Sequence, residues 1–306
     1  MFESFDTVWK LFIASLASAA ITLAPTVTPT LTPTQIPTAI PTQQTQQTQT
    51  DTIRAVNEVS AATSKNWSGY ASTNGSFTSV SGTWTIPLVS ESGHTSSDAT
   101  WVGIGGIKST DIIQAGTQNI ISSSGQIISS PFYEMLPDNA VAVTSLQIKP
   151  GDSITVNIIQ QSHTNQWQIS IRNNTTSQMY IATVTYSSSL SSAEWIEEAP
   201  SNGTNILPLD NFSSLQLTGG SATQNNVSTT ISGSGSFEIT MVNSSDQVIS
   251  IPSTLGSDGA SFSVSRSNAT STAPNPQFDQ NPSGWRRRGT GVGQYTRTSQ
   301  ARRVRY

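Results

Sequence analysis

The 306-residue chain has no cysteine, which removes disulfide frameworks, thiol nucleophiles, iron–sulfur clusters and cysteine-bound zinc from consideration. Histidine is nearly absent too. With only His94 and His163, and no H-E-x-x-H, a histidine-built metal site would require two distant residues to meet, and no metal or other cofactor is expected. No G-x-S-x-G elbow occurs; a serine–histidine arrangement stays open, but both histidines lie in Ser/Thr-rich stretches that read as surface loops. Charged residues make up only 10% of the chain. A chain this long can still bury a core that stands without cross-links.

Charge is unevenly distributed. Residues 1–52 carry a net −2. Residues 53–283 hold six basic side chains against fifteen acidic ones, a net −9, while residues 284–306 hold seven arginines and no acid. An acidic middle poor in lysine and arginine does not suit a phosphate backbone, so nucleic acid is not an expected partner.

The composition divides the chain into four expected parts. Residues 1–24 contain the apolar run Leu11–Ala24 after Lys10, with small residues at Ala17, Ala19 and Ala20, and read as a signal peptide or an N-terminal anchor. Its length fits a signal core better than a membrane span. Residues 25–52 form a Thr/Pro/Gln-rich linker that cannot bury a core. Residues 53–270 read as a β domain, and 271–306 as a disordered tail, Arg-rich from 286. This layout implies a secreted, extracellular protein, touching a membrane only if the N-terminal segment is uncleaved, and a monomer is expected. Nine N-x-S/T sequons, including Asn66, Asn173 and Asn226, support export only weakly in a chain so rich in Asn, Ser and Thr.

Within the β domain, short segments such as Thr78–Ile86, Ser153–Ile159, Met179–Tyr186 and Phe237–Val242 alternate or run apolar with β-branched and aromatic residues. Turn signals separate them, among them Asn74-Gly75, Pro150-Gly151 and Asp258-Gly259. No window carries a 3.6-residue period, so the expectation is an all-β, single-domain antiparallel β-sandwich of two large sheets.

Most acids here, including Asp138, Asp152, Asp210 and Asp258, lie beside turns that explain them. Glu134, Glu194, Glu197 and Glu198 differ, because FYEML and AEWIEEAP embed them among large apolar side chains. If 193–198 is a strand, Glu194, Ile196 and Glu198 share one face while Trp195 and Glu197 share the other. Such a face is either washed by solvent or the floor of a cleft. Gln114 sits in the apolar run DIIQAG, either as a satisfied strand residue or as an amide able to donate a hydrogen bond to a developing oxyanion at any pH.

The succession NWSGY (66–70), SGTWTIP (81–87), TWVGIGG (100–106), IIQAG (112–116), FYEMLP (132–137), IKPGDSI (148–154) and AEWIEE (193–198) resembles the glutamic peptidases, or eqolisins, of family G1. The resemblance spans roughly residues 66–265. It implies a concanavalin-like, lectin- or glucanase-like sandwich with a polypeptide substrate across its concave sheet, and an endopeptidase whose catalytic pair is a glutamine and a glutamate. By motif these fall on Gln114 and Glu198. Trp101, Glu134, Glu194 and Trp67 would bind substrate or support the site. The family commonly has Asp where this chain has Gly105, and aromatics at Met135 and Leu136. The reaction implied is attack of an activated water on a peptide carbonyl, with an optimum below about pH 5 expected from a carboxylate of reference pKa about 4.3. Two rival readings are a glycoside hydrolase or carbohydrate-binding module, with Glu134 and Glu198 as its carboxylate pair, and a catalytically silent adhesion domain on a stalk.

Overall fold

A computed structural model describes residues 22–23 and 61–267, apart from 91–92, 163, 202–204 and 213. The linker and the arginine-rich tail therefore lie outside the described residues. So does the apolar leader, except for Thr22 and Leu23, which pair antiparallel with Thr63 and Ala62. No helix among the described residues is long and apolar enough to cross a membrane.

The principal strands, in chain order, are β1 (Ala61–Ser64), β2 (Trp67–Ser72), β3 (Phe77–Thr85), β4 (Ser96–Gly105), β5 (Ile112–Ile121), β6 (Ile127–Met135) and β7 (Ser153–Gln160). They continue as β8 (Gln166–Asn173), β9 (Gln178–Thr185), β10 (Ala193–Glu198), β11 (Leu215–Gln224), β12 (Phe237–Val242), β13 (Val248–Pro252) and β14 (Phe262–Arg266). One layer runs β9-β8-β7-β3-β11. The other runs β6-β5-β4-β10-β2-β12-β13-β14. Because β14 also pairs with β11, the two layers are one continuous sheet network folded back on itself. The expected all-β sandwich is what forms, with one departure: β1 runs parallel to β12.

Alternation assigns the side chains. Between the layers lie Tyr70, Trp84, Val102, Ile113, Val156, Ile169 and Trp195, whose removal from water drives the assembly at about 25 cal/mol per Å² of apolar surface. The second layer carries a further apolar cluster, including Trp67, Ala99, Trp101, Ile112, Phe132, Ile196 and Ile239, on strand positions of opposite parity. As a result every residue of β2, β4, β5 and β10 is buried. An antiparallel sheet with one wet face would alternate instead. The outer face of these strands is therefore a covered floor, and the solvent-washed alternative for the glutamates falls away.

Two glycines make that floor possible. A Cβ on Gly103 would lie 2.9 Å from Cζ3 of Trp101, and one on Gly116 would lie 2.6 Å from the Trp101 Cβ and 2.1 Å from the Thr100 carbonyl. Only hydrogen at both positions lets the indole lie against the sheet.

Candidate active site

Strand β10 sets the parity that matters. Glu194, Ile196 and Glu198 point to the outer floor with Trp101 of β4, Gln114 of β5 and Glu134 of β6, while Trp195 and Glu197 point between the layers. Register places Glu194, Gly103, Gln114 and Glu134 in one row across four strands. Glu198, Ala99 and Gln118 form a second row, and Ile196, Trp101 and Gly116 form the row between. One indole thus lies between the rows of Gln114 and Glu198.

Glu198 is gripped from two sides. Trp101 donates its indole N–H to Oε2 at 2.7 Å, and Asn66 donates from Nδ2 to Oε1 at 3.0 Å. Burial pushes the carboxyl up to about 8, helped by the charge of Glu134 and opposed by the N–H donors of Trp101, Trp67 and Asn66. Trp67 meets Trp101 edge-on, with ring centroids 5.0 Å apart, and its own indole N–H steadies the ionised form of Glu198 without reaching hydrogen-bond geometry. Gln114 is 1% exposed and donates from Nε2 to Glu134 Oε2 at 2.6 Å, which leaves its second N–H uncommitted to that bond. Glu134 thus holds the glutamine while its charge reaches Glu198.

Glu194 stands apart from this group. It is fully buried, and its carboxyl is pushed well above the usual range by burial, then by the charge of Asp111, with the Ser192 hydroxyl opposing. His94 lies exposed, as its sequence context implied, and His163 lies outside the described residues.

The glycine at 105 has a local explanation. Its φ is +96°, and a Cβ there would lie 2.3 Å from the Asp111 carbonyl oxygen and 3.1 Å from its carboxylate Oδ2. An aspartate side chain cannot stand at 105 without displacing residue 111, whose own carboxylate occupies that neighbourhood. Asp111 accepts from the Ser189 amide at 2.6 Å and from the Ser188 hydroxyl at 3.2 Å. Its carboxyl is held below the usual value: burial is the largest influence and raises it, but the Ser109, Ser189 and Ser188 donors together outweigh it. These bonds fasten the β4–β5 turn to the segment that enters β10.

Sequence reasoning missed four residues. Asn66 stood within a quoted motif but was assigned no role. Gln118, 4% exposed, shares the outer face with Gln114, and the i, i+4 spacing along β5 could have flagged it. Asp98 and Asp210 form the third omission: both are buried behind the floor, beside Glu197. Asp210, read as a turn residue, is in fact 0% exposed because its amide bonds to the Ser97 carbonyl at 3.2 Å and draws the 205–210 segment against β4.

Residues 65–265 match the Peptidase A4 family model. The chain belongs to the Peptidase A4 family. Aspergillopepsin-2 of Aspergillus niger is 28% identical to it across 52% of this chain and 64% of its own length. Aspergilloglutamic peptidase from Aspergillus niger superposes with a TM-score of 0.50 at 25% identity, covering 56% of this chain and 99% of that one. Scytalido-glutamic peptidase, solved with a transition state analog inhibitor, gives a TM-score of 0.57 at 24% identity, over 66% of this chain and 98% of that one, and supports the fold.

Proposed function

We propose that the chain is a secreted acid endopeptidase that cleaves polypeptides with Glu198 and Gln114 as its catalytic pair. The observation that carries this reading is a buried glutamate carboxyl gripped by two N–H donors, on the same face as a glutamine amide held by a second carboxylate. Membership of the Peptidase A4 family and the likeness to aspergilloglutamic peptidase support it.

The raised Glu198 value sets the starting state of the reaction. With the carboxyl titrating at about 8, the resting group carries its proton throughout the acid range. Each carboxyl oxygen has one lone pair committed to Asn66 or Trp101, leaving the other for the substrate. As a water oxygen bonds to the scissile carbonyl carbon, one Glu198 oxygen takes the water proton while the other passes its own proton to the carbonyl oxygen. Gln114 donates its free N–H to that oxygen as charge develops there. In collapse, Glu198 protonates the leaving amine and recovers a proton from the tetrahedral hydroxyl, so the carboxyl ends as it began. Activity belongs on the acid side of the Glu198 titration and falls as pH rises through it. An imidazole would be charged and useless as a base over most of that range.

Incubating the purified chain with an unfolded protein across pH 2–9, beside Glu198→Gln and Gln114→Ala, tests the pair. Glu198→Gln is expected to lose at least about 1,000-fold in kcat and Gln114→Ala about 100- to 1,000-fold, both with unchanged circular dichroism. Turnover by Glu198→Gln near the native rate refutes the assignment. The coupling of Glu134 to Glu198 keeps one rival in view: hydrolysis of a β-glucan with no cleavage of unfolded protein would establish the glycosidase reading instead.

A further inference from the structure

Among the described residues, Glu198 receives side-chain hydrogen bonds from Trp101, at the centre of the floor, and from Asn66, which belongs to no strand. Asn66 occupies the two-residue turn between β1 and β2, and bonds on both of its sides fix that turn. The Ala199 amide donates to the Asn66 carbonyl at 2.8 Å, joining the turn to the residue after Glu198. The Ser64 hydroxyl donates to Asn66 Oδ1 at 3.3 Å, and Ser64 Oγ accepts from the Trp67 amide at 3.1 Å. On the far side Lys65 Nζ donates to the Asn243 carbonyl at 2.8 Å and pairs with Asp246 at 2.7 Å.

The Ser64 bond decides which way the amide faces. Ser64 Oγ accepts from both the Asn66 and the Trp67 amides, so its hydrogen goes to Asn66 Oδ1 and Nδ2 points to Glu198. An amide N–H has no basic lone pair, so unlike a hydroxyl, carboxylate or imidazole it cannot accept the proton of Glu198. The same holds for the indole N–H on the other oxygen. Both donors therefore bar the Glu198 proton from Asn66 and Trp101 and leave it to the side of the carboxyl away from them. Among the described residues the ionisable group that acts on Glu198 from the same face is Glu134 of β6, while Glu197, next in the chain, lies behind the strand; both are acids, so no cation shares this task.

We infer that Asn66, oriented by Ser64, is a positioning residue that holds the Glu198 carboxyl in its reactive rotamer and keeps its proton facing the substrate. The inference rests on the catalytic reading of Glu198. It also means that the Asn66-Trp67-Ser68 sequon is closed to glycosylation in the active fold: Asn66 is 7% exposed and its amide nitrogen is engaged.

Asn66→Asp tests it at constant size, exchanging the donor for an acceptor. Asn66→Ala removes the donor, and Ser64→Ala leaves the donor while freeing the amide to turn. The expected result is a fall in kcat of about 10- to 100-fold for both Asn66 variants, with KM within about twofold, and a smaller fall for Ser64→Ala. The descending limb of the pH–rate profile should move upward by about one unit in Asn66→Ala, because the ionised form loses a hydrogen bond. A drop in thermal stability with kcat and the limb unmoved would overturn the inference and leave Asn66 a structural turn residue. Glu198→Gln, assayed alongside, separates the two claims. If it retains turnover, the catalytic reading itself fails; if it is inactive while the Asn66 variants cleave normally, only the positioning role fails.

Discussion

Glu197 and Glu198 are neighbours in the chain and both are buried, yet they face opposite sides of the same strand and meet opposite chemistry. On the outer face both oxygens of Glu198 receive N–H donors. On the inner face Glu197 receives the Thr100 hydroxyl on one oxygen at 2.7 Å and has no partner for the other. Beside it Asp98 takes the amide and side chain of Asn119 on one oxygen and leaves its second without a partner. Burial is the largest influence on all three inner acids. It pushes Asp98 up to about 7 and Asp210 up to about 8, and with the charge of Asp98 it raises Glu197 well above its ordinary value. Equal burial thus has two uses. A carboxyl supplied with donors on a covered floor is poised to exchange protons, whereas a donor-poor set between the sheets stores them and ties the fold to acid.

The broadest test of this contrast is the stability of the protein against pH. Each inner acid, like Glu194 and Glu198 on the outer face, binds its proton more tightly folded than unfolded, so its contribution is fully present below about pH 4 and drains away as pH rises to about 7 for Asp98 and about 8 for Asp210 and Glu198. At about 1.4 kcal/mol per unit, the loss is on the order of several kcal/mol, comparable with a typical total stability of about 5–15 kcal/mol. Circular dichroism should report a melting temperature that falls steadily between about pH 4 and 8, the interval between the unfolded and folded titrations, in a protein still folded at assay temperature. A melting temperature constant from pH 4 to 8 would break the comparison on its inner side.

A narrower effect is expected on the outer side. Trp101→Phe keeps the ring against Gly103 and Gly116 but removes the N–H that holds Glu198 Oε2. A loss of about 10- to 100-fold in kcat and an upward shift of the descending pH limb should follow. Native kcat would break the comparison on its outer side. The smallest effect belongs to Asp111→Asn, which weakens the tether of the β4–β5 turn without touching either group of carboxyls. A stability loss of about 1–2 kcal/mol is expected, restricted to pH above the depressed titration of Asp111 and absent below it.

How much of this was legible beforehand follows the range of the interactions. Strand alternation in AEWIEE separates Glu198 from Glu197 by local geometry alone, and the apolar setting of Gln114 marked it as unusual. The alternating stretches gave β12 its bounds and most other strands theirs to within a few residues. The orientation of Asn66 could not be read, because it depends on a turn whose two sides are fastened to residues 199 and 243. The parallel pairing of β1 with β12 joins strands about 175 residues apart and leaves no periodic trace. The inner acids were missed for the same reason. Asp98 stands in a polar stretch and Asp210 beside a turn, and only the approach of the 205–210 segment to β4 encloses them.

The most direct measurement compares Glu197→Gln with Glu198→Gln, recording cleavage of an unfolded protein at acid pH and melting temperature at pH 7 for each. The account predicts that Glu197→Gln cleaves at close to the native rate and melts higher than the native chain at pH 7, while Glu198→Gln folds and does not cleave. Cleavage by Glu198→Gln, or its loss in a folded Glu197→Gln, would contradict the assignment of catalysis to the outer face.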